Sequence, residues 1–181
     1  DLGIDSDHTI NGQILTSDAL LVTQLEISTN ALTNYPYPPF DEYEGRIHDL
    51  TGIEAFINLE RLEVHNTLIE NLNTDNLVNL KYLDCTDNML TSISVLNNPL
   101  LEYINVTSEG DVYPINDISE IDLRNNPNIQ TIYASGLDRI NLNNNNNNPN
   151  MFISVYCTFC FGDPIDYIRD NICIKVDNVQ L

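Results

Sequence analysis

The stretch that decides the fold is residues 80–90, LKYLDCTDNML, which continues directly into residues 91–99, TSISVLNNP. Apolar residues stand at its first, fourth, sixth and eleventh positions, and an asparagine, Asn88, stands at the ninth. This spacing is typical of a leucine-rich repeat, in which a short strand ends in a sharp turn. The Asn88 side chain can pair with backbone groups that the turn would otherwise bury without hydrogen bonds. The stretch therefore predicts one unit of a repeat.

The same pattern recurs along most of the chain. Copies begin at Val22, Leu59, Leu80, Leu101, Ile129 and Phe152. Two successive steps are equal, since 80 − 59 and 101 − 80 are both 21 residues. The next two steps, 129 − 101 and 152 − 129, are 28 and 23 residues, which indicates insertions. In the Leu59 copy, Thr67 takes the place of the asparagine.

Each unit also contains a second apolar stretch with the same internal spacing. These stretches are Leu90 to Val95, Ile118 to Leu123 and Leu137 to Leu142. Where many repeat proteins have a helix, this chain has another extended segment. The sequence therefore predicts a mostly-β, right-handed leucine-rich repeat solenoid with repeats of about 21 residues and few or no helices.

The expected organisation is a cap, an array and a closing segment. The predicted cap is 1–21, the array is 22–159, and the end of the array is 160–181, with insertions near 31–46, 108–117 and 143–150. The first insertion is rich in proline and tyrosine and cannot continue a central strand. It is interpreted either as a binding loop or as a cover for the end of the array. The chain opens at Asp1 without a signal-peptide pattern, which we interpret as a mature product or a trimmed fragment.

The composition is strongly acidic, with 7 Lys and Arg against 27 Asp and Glu and a formal net charge of −20. Such a field repels phosphate backbones and anionic lipids, so nucleic-acid binding is not expected. It is compatible with cation binding, or with solubility alone. No run of about 18 apolar residues is present, so no transmembrane segment is expected.

A candidate calcium loop occupies residues 7–18, DHTINGQILTSD. The predicted ligands are Asp7, Thr9, Asn11, the carbonyl of Gln13, and Asp18. Oxygen-bearing side chains at alternate positions, a glycine at the sixth and a carboxylate at the twelfth follow the chemistry of twelve-residue calcium loops. A second interpretation is an Asn-Gly turn between two short strands, 9–10 and 14–15.

Positions three, five and seven of each repeat are expected to point away from the core on one sheet face. The candidate binding face consists of Arg61, Glu63, His65, Tyr82, Asp84, Thr86, Tyr103, Asn105, Thr107, Thr131, Tyr133, Ser135 and Tyr156. In the last repeat, Ser154, Tyr156 and Thr158 are expected to continue the columns of Thr131, Tyr133 and Ser135. Tyrosine is a stiff amphipathic contact residue, although exposed strands favour Tyr and Thr on propensity alone.

Catalytic motifs are absent from the sequence. The three histidines, His8, His48 and His65, lie in separate segments without a nucleophile elbow or a phosphate loop. Cys157-x-x-Cys160 lacks the second ligand pair of a zinc site, so a buried structural role is preferred for Cys157. A disulfide between Cys160 and Cys173 is an open alternative.

Residues 80–99 resemble the repeats of secreted or surface leucine-rich repeat proteins of the Bacteroidetes, especially those of flavobacteria. Residues 1–7, 50–56 and 172–177 are similar to other segments of the same family. The resemblance implies export through the outer membrane and a role in binding or adhesion. In some members the N-terminal region carries a calcium-loop-like sequence, whose places the candidate calcium ligands of this chain match.

The expected function is non-catalytic recognition outside the cell or on the outer-membrane surface. A protein partner in the cell envelope is preferred, with the chain as an accessory subunit of a surface complex, because repeat solenoids offer long and rather flat surfaces. A glycan-binding or adhesion module and a structural spacer are the alternatives. Calcium is the one cofactor considered, in a structural role.

Overall fold

The computed structural model describes residues 6, 14–29, 47–108, 115–144, 148, 150–156 and 173–176. Its strands are β1 (Gln24–Ser28), β2 (Arg61–His65), β3 (Asn71–Asn73), β4 (Tyr82–Asp84), β5 (Ser92–Ser94), β6 (Tyr103–Val106), β7 (Glu120–Asp122), β8 (Thr131–Ser135), β9 (Arg139–Leu142), β10 (Phe152–Tyr156) and β11 (Cys173–Val176). Over the same residues the helical segments are α1 (Thr16–Ala19) and a 3-10 turn (Ile53–Ala55). The prediction of a mostly-β chain with few helices is therefore confirmed.

All strand pairs in the described residues are parallel. Six strands form one sheet in the order β1-β2-β4-β6-β8-β10, while β3 pairs with β5 and the order β7-β9-β11 forms a third sheet. From β2 onward, strands of the large sheet alternate along the chain with strands of the two smaller sheets. Each sequence repeat therefore contributes one strand to the large sheet and one to a smaller sheet. The three predicted second stretches contain β5, β7 and β9, and β3 adds a further one at Asn71–Asn73.

The core lies between the large sheet and the smaller sheets. Alternate residues of every large-sheet strand point into it, as Leu62, Leu83, Ile104 and Ile132 do in adjacent register positions. These four side chains are fully buried. The smaller sheets contribute Leu72, Ile121 and Ile140 to the same cluster. Stacking equivalent residues in this way buries a continuous apolar core along the array.

Buried asparagines satisfy the backbone at the turn after the large sheet. The Asn88 side chain donates to the carbonyls of Val64 and Cys85, both at 2.8 Å, and its Oδ1 accepts the backbone N–H of Thr67 at 3.1 Å. Asn116 takes the same role one repeat later, donating to Cys85 O at 2.8 Å and accepting from Leu90 N at 3.0 Å. The insertion near 108–117 therefore moves the turn asparagine along the chain without removing it.

A second set of asparagines occupies the turn after the smaller sheets. Asn98 donates to the carbonyls of Thr74 and Leu77 at 2.9 and 2.8 Å, and its Oδ1 accepts the Thr74 hydroxyl at 2.6 Å. Asn126 donates to the carbonyls of Val95 and Asn98, both at 2.8 Å. Within the described residues the Asn126 Oδ1 has no hydrogen-bond partner, because Val95, which takes the place of Thr74 one repeat later, has no hydroxyl to donate.

The corners after β2, β4 and β8 use left-handed backbone. Asn66, Asp87 and Gly136 have φ angles of 54°, 56° and 71°. Glycine, asparagine and aspartate are the residues that adopt this conformation at least cost. The turn chemistry of the sequence thus matches the geometry that the parallel strands need.

No helix in the described part of the chain is both long enough and apolar enough to cross a membrane.

Candidate functional site

The outward side of the large sheet, here called the outer face, brings most of the predicted binding residues together. Strand register forms two rows that run across the sheet. The first row is Gln24, Arg61, Tyr82, Tyr103, Thr131 and Phe152, and the second is Glu26, Glu63, Asp84, Asn105, Tyr133 and Ser154. Neighbouring residues in a row lie on adjacent strands, which are about 4.8 Å apart.

Four aromatic side chains on this face, Tyr82, Tyr103, Tyr133 and Phe152, form a contact series that we call the aromatic ladder. The Tyr82 and Tyr103 rings are stacked, with centroids 4.2 Å apart and planes 4° from parallel. The rings of Tyr103 and Tyr133 are tilted at 5.8 Å, and those of Tyr133 and Phe152 are tilted at 5.4 Å. Aromatic pairs in these geometries are mutually stabilising, so the ladder is a preformed surface.

One end of the aromatic ladder is covered and the other is open. The Arg61 guanidinium lies 3.5 Å from the centroid of the Tyr82 ring, in a cation–π contact. Phe152, at the opposite end, is 50% exposed. Burial, a hydrogen bond with Tyr82 and the nearby Asp84 raise the pKa of the Tyr103 phenol.

A charged cluster lies beside the covered end of the ladder. Arg61 Nε donates to Glu63 Oε1 at 2.6 Å, and this hydrogen bond lowers the pKa of Glu63. The two nitrogens of His65 face carboxylates on opposite sides, with Nε2 3.6 Å from Glu63 Oε2 and Nδ1 3.7 Å from Asp84 Oδ1. Among the described residues, no group of three His, Cys, Asp or Glu side chains converges on a metal position.

The outermost predicted column differs in part from the expectation, because three of its residues are buried, whereas His65 is partly exposed. Thr86, Thr107 and Ser135 are 8%, 9% and 2% exposed. The Thr86 hydroxyl donates to Asp84 Oδ1 at 2.6 Å, and the Thr107 hydroxyl donates to Asn105 Oδ1 at 2.8 Å. These side chains close the strand ends and contribute little to the exposed surface.

The last repeat is shifted by two residues from the predicted register. Phe152 pairs with Thr131, Ser154 with Tyr133, and Tyr156 with Ser135, so each predicted column partner is displaced. A shift of two residues leaves the inward and outward pattern unchanged, which is why alternation alone did not reveal it. Sequence reasoning placed Phe152 in the core and missed it as an outer-face residue. Phe152 follows Thr131 by 152 − 131 = 21 residues, which is the length of the regular repeat. This distance is the sequence signal for the observed pairing of Phe152 with Thr131.

The candidate calcium loop falls largely outside the described residues. Asp7, Thr9, Asn11 and Gln13 are not described, whereas Asp18 lies in α1 and is 7% exposed. Its Oδ2 accepts the backbone N–H of Ser6 at 2.7 Å, and this bond lowers the pKa of Asp18.

Other predicted features also lie outside the described residues. They are the insertion near 31–46, most of the closing segment 160–181, and Cys157 and Cys160. The backbones of Tyr156 and Cys173 lie in β10 and β11, but their side chains are not described.

No known protein family and no curated protein sequence matches this chain. The rows, the aromatic ladder and the charged cluster are thus the features from which a function is inferred.

Proposed function

We propose that this chain is a right-handed leucine-rich repeat solenoid of the secreted or surface type, and that it recognises a protein partner outside the cell through the outer face. The proposed role is non-catalytic, as an accessory subunit of a cell-surface complex. The solenoid assignment is supported by parallel strands in matching register and by the alternation of strands between the large and smaller sheets. Buried turn asparagines at repeat spacing support it further.

The aromatic ladder is the observation that carries the proposal. Tyr82, Tyr103 and Tyr133 are partly buried by one another, while Phe152 is half exposed. Rigid aromatic side chains offer contact area at low cost in conformational entropy, which is why tyrosine is enriched in protein interfaces. A series of such rings on a sheet with a buried core beneath it is suited to contact with a protein surface.

The ring geometry favours a protein over a glycan. Sugar recognition by tyrosine uses the open face of the ring, but Arg61 covers one face of Tyr82 and Tyr103 covers the other. The edges of these rings remain for contacts, and they suit a polypeptide better than a sugar face. Phe152, with its larger exposed area, is the position that supports glycan binding as a second candidate.

The arrangement of the charged cluster favours binding over catalysis. His65 lies between two carboxylates on a sheet surface, and the Thr86 hydroxyl beside them is committed to Asp84. General acid–base catalysis needs a proton-transfer group positioned against a bound substrate, and nucleophilic catalysis needs an activated hydroxyl or thiol. We therefore propose that the charged cluster stabilises the conformation of the outer face.

The test is a pull-down from membrane and culture-supernatant fractions of the native organism, analysed by mass spectrometry. The probes are the wild-type chain, the double variant Tyr82→Ala with Tyr103→Ala, and a control that removes the surface pair Glu120 and Arg139 from the smaller sheets. We expect a protein that the wild type and the control capture and that the double variant does not. Equal capture by all three would contradict binding through the outer face, provided that the melting temperature of the double variant shows it folded.

If no protein is captured, the same three chains and a Phe152→Ala variant are applied to a polysaccharide array. Binding that depends on Phe152 would replace the protein partner by a glycan. Absence of binding there as well would leave the spacer role as the remaining proposal.

A further inference from the structure

We infer that the partner contacts the outer face with a segment that is cationic at one end and apolar at the other, laid across the strands. This inference rests on the proposed function and specifies the chemistry of its partner. The outer face is divided into two halves of different character, and the division follows the order of the strands. A partner that uses the whole face must match both halves.

The first half comprises β1, β2 and β4 and contains every formally charged residue in the two rows. Glu26, Glu63 and Asp84 occupy adjacent positions in the second row, and Arg61 is the cation of the first row. The half therefore has two more carboxylates than cations when His65 is neutral. Carboxylates directly opposite one another on neighbouring strands repel and destabilise a sheet unless a cation lies near them.

The cation already present cannot neutralise the whole row. Arg61 is held by Glu63 at 2.6 Å and lies on the Tyr82 ring. Asp84 is stabilised by hydrogen bonds from Thr86 and Asn105, the latter at 3.2 Å. Glu26 is exposed and forms no ion pair with any described residue. A cationic side chain from a partner would complete this row.

The second half, formed by β6, β8 and β10, is uncharged at its outward row positions. It contains Tyr103, Tyr133 and the half-exposed Phe152, together with Asn105, Thr131 and Ser154. Apolar and aromatic side chains are the complement for this half, because burying them against the ladder removes apolar surface from water. The complementary segment is therefore polarised, with a Lys or Arg end over β1 and β2 and an apolar end over β10.

The spacing of the strands sets the length of this segment. Six strands about 4.8 Å apart span roughly 24 Å between the first and the last. An extended chain advances about 3.3 Å per residue, so a segment of about seven residues crosses the whole face. The net charge of −20 would also attract a cationic segment over long range and raise its association rate at low salt.

Selection from a displayed library of random dodecapeptides tests the inference. The wild-type chain is expected to enrich peptides with Lys or Arg near one end and aromatic or aliphatic residues about six positions away. The consensus peptide is then synthesised and titrated. Glu26→Gln should weaken its binding about threefold at low salt, and added salt should remove the difference, as for an exposed ion pair. Glu70→Gln, an exposed residue outside the outer face with the same change of charge, should leave the affinity unchanged.

The outcomes separate this inference from the proposed function. Peptides whose binding needs Tyr82 and Tyr103 but which lack a cationic position would overturn the inference and leave the recognition function standing. Cationic peptides that bind the Tyr82→Ala, Tyr103→Ala variant as tightly as the wild type would overturn both. Equal weakening by Glu26→Gln and Glu70→Gln would show general attraction to an acidic protein and would also overturn the inference.

Discussion

At the scale of single residues, the buried asparagines provide hydrogen-bond partners for backbone groups at the turns between strands. Asn88 pairs with the carbonyls of Val64 and Cys85 and with the N–H of Thr67, all three buried between strands. No other side chain of similar size both donates two hydrogen bonds and accepts one or two from a single planar group. The turn therefore depends on the chemistry of one amide.

Replacing Asn88 by alanine should lower the free energy of unfolding by about 3 kcal/mol, because buried backbone groups lose their partners. Urea unfolding measures this change. Asn97→Ala, which alters an exposed asparagine of a later turn, is the matched control and should cost less than about 0.5 kcal/mol. An Asn88 variant as stable as the control would contradict the assigned role.

The Arg61–Glu63 pair predicts a dependence of stability on pH. The hydrogen bond from Arg61 lowers the pKa of Glu63 below its ordinary value of 4.5, so the folded chain binds this proton less readily than the unfolded chain. The resulting stabilisation is present above pH 4.5 and is lost as the pH falls through the lower folded value. Thermal melts of the wild type and of Glu63→Gln should therefore converge on acidification. A constant difference between them at every pH would contradict the pairing.

At the scale of elements, the sequence predicts the strands well because two signals agree there. In residues 80–90 the apolar spacing and the turn asparagine indicate the same strand, and β4 lies within it. The second stretches were found from the same spacing.

Asn116 was not found, because the insertion separates it from its strand and local spacing carries no information across an inserted loop. The pairing of β11 with β9 likewise depends on a contact between distant parts of the chain.

The register of β10 gives a prediction that separates two structures. With Phe152 on the outer face, Phe152→Ala removes one aromatic contact and should cost about 1 kcal/mol. In the register expected from the sequence, Phe152 would be a core residue and the same substitution would cost about 3–5 kcal/mol. Chemical denaturation decides between the two values. Leu83→Ala, in the fully buried centre of β4, provides the core reference at about 2–5 kcal/mol.

At the scale of the whole molecule, the outer face brings the aromatic ladder and the charged cluster together on one sheet. The candidate site could be predicted in part: the residues of the outer face follow from alternation, including the three central tyrosines of the two rows. The stacking of Tyr82 on Tyr103 and the covering of Tyr82 by Arg61 could not, since they depend on side-chain rotamers and on exact register. The burial of Thr86 and Thr107 was missed because their hydroxyls bond within the strand ends.

Calcium binding by the N-terminal segment remains a proposal, and it predicts a change in the stability of the whole chain. Calcium at about 100 times its dissociation constant would stabilise the folded state by about 2.7 kcal/mol, which raises the melting temperature by several degrees relative to chelator. Asp18→Asn should remove that rise. An equal melting temperature with calcium and with chelator would contradict a structural calcium site.

Site-specific photo-crosslinking shows directly whether the outer face is the surface that meets the partner. A benzophenone amino acid is placed at Phe152, at the open end of the aromatic ladder, or at Arg139 on β9 in the smaller sheets as the control. Each chain is irradiated in extract of its native cell envelope. We expect a discrete crosslinked protein from position 152 alone. The same product from both positions, or from position 139 alone, would contradict it.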